Sequence, residues 1–127
     1  MAKSINDSVL DAALDFIATG DEINVCSAQP TTYAEAHATY MLAQHAMVVG
    51  DGNGDYTISN GDASGRKVRM TAQADITITN SGTATHVAIC DTGTSALLLV
   101  TTCTSQALTA ANTVTIPAFD DEIADPT

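Results

Sequence analysis

From Lys67 to Ala118 the chain alternates short runs of Val, Ile, Leu and Thr with clusters of turn-forming residues, and this pattern leaves few architectures open. The runs Lys67 to Ala72, Asp75 to Thr79, Thr85 to Cys90, Ala96 to Cys103 and Thr113 to Ala118 read as successive strands. Asn80-Ser81-Gly82, Asp91-Thr92-Gly93 and Ala110-Ala111-Asn112 separate several of them. β-branched side chains suit a pleated, half-buried surface and are stiff at χ1, so they favour strands over helices. A period of two puts Ile76 and Ile78 on one face with Thr77 and Thr79 on the other, and it opposes Val114 and Ile116 to Thr113 and Thr115. Leu97 to Val100 is an unbroken apolar run, which predicts a central strand covered on both faces. Short strands at a spacing of about 8 to 12 residues predict a mainly β domain of the β-sandwich or barrel-like kind.

The first part of the chain adds an N-terminal amphipathic α-helix over about residues 5–19. Ile5, Val9, Ala13 and Phe16 fall near one face, with Leu10, Leu14 and Ile17 beside it, while Asp7, Asp11 and Asp15 repeat every four residues on the other side. Ser4 is placed to cap its start and Gly20 to stop it in a left-handed conformation. Ile23 to Ala28 reads as a strand. Thr31 to Ala38 permits a helical turn after a Thr cap, and Met41 to Val49 reads more as strand than as buried helix. Gly50 to Gly65 is loop-like, with a short strand at Tyr56 to Ser59. The predicted organisation is one domain over residues 1–127: the helix, a β-rich body over 22–118, and an acidic C-terminal tail over 119–127 that Pro126 keeps out of regular structure.

Charge removes whole classes of function. The formal net charge is −11, with only four Lys and Arg among 127 residues. Neutralising nucleic-acid phosphates takes many cations, and an anionic membrane repels such a chain, so neither partner is expected. No run of about 18 apolar residues occurs, and Met1 to Asp7 does not read as a secretory signal. The three cysteines, Cys26, Cys90 and Cys103, have no CxxC spacing, which argues against a zinc site and against a disulfide framework and fits synthesis in a reducing cytoplasm.

A few constellations carry potential chemistry. Asp51, Asn53, Asp55, Ser59 and Asp62 place oxygen side chains at positions 1, 3, 5, 9 and 12 of an EF-hand-like calcium loop. Against it, Tyr56 stands where that loop wants Gly, Asp62 is shorter than the bidentate Glu, and the flanks are not helical. Arg66, Lys67 and Arg69 form an interface candidate, since Arg forks onto carboxylates. In so acidic a chain the same triad also suits its own carboxylates, and alternation puts Arg66 on one face with Lys67 and Arg69 on the other. Cys26, Cys90 and Cys103 are candidates for crosslinks between copies outside the cell, or else small buried hydrophobes. His86 and Cys90 share a strand face in apolar surroundings that raise a thiol pKa, and His37 and His45, which would share a face in a strand, lack a third ligand. No Ser/His/Asp order or carboxylate pair stands out, so no enzyme, no catalytic residue and no resident cofactor are expected.

The phrases Val25 to Ala36 (VCSAQPTTYAEA), Asp55 to Val68 (DYTISNGDASGRKV), Ser81 to Ile89, Val100 to Phe119 and Glu122 to Thr127 (EIADPT), after a helix reading LDAALDFIATG, resemble a family of small virion proteins of tailed phages and prophages. The resemblance runs through nearly the whole chain and implies a structural role; some members of the family look like head decoration or cement proteins. It implies a subunit that bridges major capsid proteins, associates as a homo-oligomer in the assembly and resides in the virion after synthesis in the host cytoplasm. A neck, tail or fibre-associated subunit is the alternative it leaves open. A calcium-dependent binding module using Asp51 to Asp62 is the alternative from the residues themselves.

Overall fold

The computed structural model describes residues 3–127. It is mainly β, as the alternation predicts, with several antiparallel sheets, a short N-terminal helix and no closed barrel. Helix α1 spans Asp7–Ile17, followed by β1 (Glu22–Cys26), one turn of π-helix (Glu35–Thr39), β2 (Met41–Ala46), β3 (Tyr56–Asn60), β4 (Arg66–Met70), β5 (Gln73–Thr77), β6 (Gly82–Asp91), β7 (Ala96–Leu108), β8 (Thr113–Ile116) and β9 (Phe119–Ile123). A four-stranded sheet runs β2-β1-β6-β7, a three-stranded sheet β3-β4-β9, and β5 with β8 makes a ribbon. The ribbon is tied to β2 by an Ala43–Ile78 bridge and by the Thr79 amide on Leu42 O (2.8 Å).

One apolar core joins these pieces. Ile23, Val25, Val87 and Ile89 come from the four-stranded sheet, Tyr56, Val68 and Met70 from the three-stranded one, Ile76 and Ile116 from the ribbon, and Leu14 from the helix. Tyr56 is its largest fully buried side chain, and its hydroxyl donates to Gly20 O (2.6 Å), so one residue satisfies a buried carbonyl at the helix exit and fills the centre. A smaller cluster of Cys26, Ala36, Ala88 and Cys90 lies on the other face of the four-stranded sheet, beneath the π-helical turn.

Several expectations are corrected. The helix cap is Asn6, whose side chain accepts from the Ser8 amide (2.9 Å), not Ser4. Gly20 does not stop the helix in a left-handed conformation; a Cβ there would sit inside van der Waals contact of Ile89, so Gly is required by close packing. The helix buries Leu10, Leu14 and Ala18, whereas the face with Ile5, Val9, Ala13 and Phe16 is exposed. Leu97 to Val100 is not central: β7 pairs only with β6 and forms the sheet's edge, its leucines half-buried. His37 stands in the π-helical turn, not in a strand with His45.

The acidic tail is the largest correction. Phe119–Ile123 is a strand, in register with β4 from Arg66↔Ile123 to Met70↔Phe119. Acidic residues disfavour strands in isolation, but here Asp120 and Glu122 share a face with Lys67 and Arg69, and opposite charges across a strand pair stabilise it. Gly65 makes the approach possible. Its φ of +70° and the closeness of Ile123 O both exclude a side chain. Only the last residues, 124–127, stay irregular.

Candidate interaction surface

The calcium-like loop is built from its own donors. Asp51 Oδ1 accepts from the Ile58 amide (2.8 Å). Asp55 Oδ2 accepts from the Val48 amide (2.5 Å), and its Oδ1 takes Thr71 Oγ1 (2.7 Å) and Gln73 Nε2 (2.9 Å). Burial alone would raise the Asp55 pKa, but these donors outweigh it and hold the carboxyl below its ordinary value. Asp62 Oδ1 lies 2.6 Å from Lys67 Nζ, Ser59 sits in β3 opposite Lys67, and Asn53 packs on Gly50. Among the described residues, no three His, Cys, Asp or Glu side chains come together to hold a metal ion. Asp55 instead ties the loop before β3 to the β4–β5 junction.

The basic triad also turns inward on its own chain. Arg66 Nε lies 2.6 Å from Asp11 Oδ1 and its Nη1 2.6 Å from Asn60 Oδ1, locking α1 onto β4. On the opposite face Arg69 Nη1 reaches Asp120 Oδ1 (2.9 Å), and Lys67 lies 3.5 Å from Asp120 Oδ2. The alternation read from the sequence holds, and all three cations are spent within the chain.

Cys26 and Cys90 are fully buried, so neither reaches another copy in the folded state. Burial pushes the Cys26 thiol up to about 12 and the Cys90 thiol up to about 11, the opposite of an activated nucleophile. Cys103 is half-buried, and its thiol is likewise raised by burial. His86 Nδ1 lies 2.8 Å from Thr85 Oγ1, the partner on its own strand.

Two features escaped the sequence reading. One is a polar network under the π-helical turn. His37 Nδ1 lies 2.7 Å from Glu22 Oε1, Asn24 donates to the same oxygen (2.9 Å) and to Cys90 Sγ (3.7 Å), Gln44 donates to Asn24 (3.1 Å), and Tyr33 stacks on His37 with centroids 4.9 Å apart. Each polar group has a partner, which makes this a clasp that holds the turn on the sheet. The turn joins Glu22 to His37 only through the fold, so no sequence motif marks it.

The other is a surface. Among the described residues, the outer edge of β7 carries no pairing strand, and its thirteen residues include no charge. Beside it runs a groove of about 440 Å³ with Val25, Val87, Val114, Ile116 and Phe119 in its walls and Cys103 and threonines along β7. Bulges mark the strand: Leu98 is inserted opposite the Ile89–Cys90 step, and the register shifts again between Ala84 and His86. Comparison with protein-family models, with curated proteins and with solved structures returned no match.

Proposed function

We propose that this protein is a structural subunit of a tailed-phage virion, a head decoration or cement subunit that docks on the major capsid lattice and bridges its neighbours. The single observation that carries a docking role is the β7 edge: a long, uncharged strand with open backbone donors and acceptors alongside an apolar groove, in a chain of net charge −11. Natural proteins guard such edges with Lys, Pro, bulges or a covering element. Here charge and Pro are absent; α1 touches the strand, and the main guard is the pair of bulges, which disfavours indiscriminate pairing and suits a partner strand shaped to the bend. The partner's backbone completes the ladder while its alternate side chains enter the groove. The leucine run that reads as a central strand then becomes one, because the docked strand covers it. The virion setting rests on the ordered phrases given above. Each contact is modest, and repetition on a symmetric lattice multiplies it.

The test is mass spectrometry and electron microscopy of purified particles containing a labelled copy. Even decoration of the head is expected, and Thr102→Asp with Thr104→Asp on the open edge is expected to abolish it. Label at a single vertex or along the tail would move the subunit to the neck or tail, and absence from particles would overturn the reading.

A further inference from the structure

We infer that helix α1 is a self-association surface, on which a second copy of this chain docks antiparallel about a two-fold axis. The proposal concerns a different surface from β7 and stands without it.

Among the described residues, the exposed large apolar side chains are Ile5 (36%), Val9 (56%), Phe16 (64%), Val48 (56%) and Val49 (44%). They are not scattered. Val9 and Phe16 are seven residues apart, two helical turns and about 10 Å, so they project along one line. Ala12 and Ala13, both exposed, lie between them. Val48 and Val49 sit beside the last helical turn, because the Gly50 amide donates to Ala18 O (2.9 Å) and the Met47 amide to Asp21 O (2.8 Å). Ile5 marks the opposite end of the line, just before the helix.

This arrangement is self-complementary. Place a second α1 antiparallel, with the axis through Ala12 and Ala13. Val9 then faces Phe16 of the copy, Ala12 faces Ala13, and Ile5 comes over the end of the copy that carries Val48 and Val49. The two-fold operation makes each of these contacts occur twice, as an isologous interface requires. The alanines let the helix axes approach to about 8 Å. At about 100° per residue, Asp7, Asp11 and Asp15 all project more than about 100° away from the Val9–Phe16 line, so none of these three helix carboxylates enters the contact.

The area sets the strength. The exposed apolar surface amounts to on the order of 1,000 Å² for both copies together, the low end for a specific contact, so a reversible dimer is expected rather than an obligate one. Two chains of charge −11 repel at long range, and salt screens that repulsion. Self-association through α1 therefore strengthens with added salt, whereas docking of a basic partner on the same stripe weakens.

The test is sedimentation equilibrium of the purified full chain from micromolar to millimolar concentration, in low and in high salt. A monomer–dimer equilibrium that tightens with salt is expected. Val9→Ser with Phe16→Ser, both exposed positions, is expected to leave the circular dichroism spectrum unchanged and to weaken dimerisation at least tenfold. As a second arm, Val9→Cys and Phe16→Cys chains are mixed and oxidised. Crosslinks in the mixture above those of either variant alone fix the antiparallel register. A wild type that stays monomeric at millimolar concentration in high salt, a dimer indifferent to the serine substitutions, or equal crosslinking in the single-variant samples would each overturn the inference.

Discussion

Replacing Asp55 by Ala separates an anchor from a metal ligand. The carboxylate receives three donors, from Val48, Thr71 and Gln73, at 2.5 to 2.9 Å. Hydrogen bonds to an ionised group contribute about 1.5–3 kcal/mol when buried, but this side chain is half-buried and water can replace part of each, so the loss is about 2–4 kcal/mol in all. For a chain of 127 residues that corresponds to a fall in Tm of roughly 8–16 °C. The contribution also has a pH signature. The folded pKa lies below the unfolded one, so the stabilisation is complete above the unfolded value and is lost as pH falls through the folded value. The gap between wild type and variant is therefore widest near neutrality and closes on acidification below about pH 4. The assay is thermal unfolding followed by circular dichroism, with EDTA and with calcium. A bound metal would raise the wild-type stability by about 2.7 kcal/mol at one hundred times its Kd, and the variant would lose that increment. An anchor predicts the same Tm drop in both buffers. A variant melting within about 2 °C of wild type, or a calcium-dependent rise confined to the wild type, would refute the reasoning.

Two other substitutions test the core and the edge. Gly20→Ala forces a methyl group against Ile89 in a packed interior, and a loss of about 1–3 kcal/mol in urea unfolding is expected; an unchanged midpoint would show that Ile89 gives way freely. Asp121 faces inward on β9, opposite Val68, and burial raises its pKa. A raised carboxyl costs stability above the folded pKa, and that cost vanishes as pH falls below the unfolded value. Asp121→Asn is therefore expected to stabilise the protein by a few tenths to about 1 kcal/mol at neutral pH and by nothing near pH 3, after allowance for solvent screening; a destabilised variant at pH 7 would contradict this.

Much of the architecture was legible because strand period and turn chemistry are local. The sequence places a strand within a few residues of each of β1 to β8, and Ile76, Ile78 and Ile116 are buried as the alternation requires. The turn after Thr32 forms, with Thr32 Oγ1 accepting from the Glu35 amide (3.2 Å). Phe119–Ile123 was not legible. A run reading FDDEI becomes a strand only when Lys67 and Arg69 stand across from it. The loop from Asp51 to Asp62 carries the residue types of a cation site, yet the folded backbone turns its carboxylates onto amides and a lysine.

By itself, the amino-acid order determined the β class, the approximate positions of β1 to β8, the helix and its stripes, and the alternation of the three cations about β4. Tertiary structure alone decided which stripe of α1 is buried, that Leu97 to Val100 lies at an edge, and that Asp55 is an anchor. The physical reason is that periodicity records how a segment would divide its faces, whereas burial depends on which neighbour arrives from elsewhere in the chain. A helix that is apolar around more than half its circumference offers the core two candidate faces. The contacts to β3, β4 and β7 selected the one with Leu10 and Leu14 and left Val9 and Phe16 to the solvent.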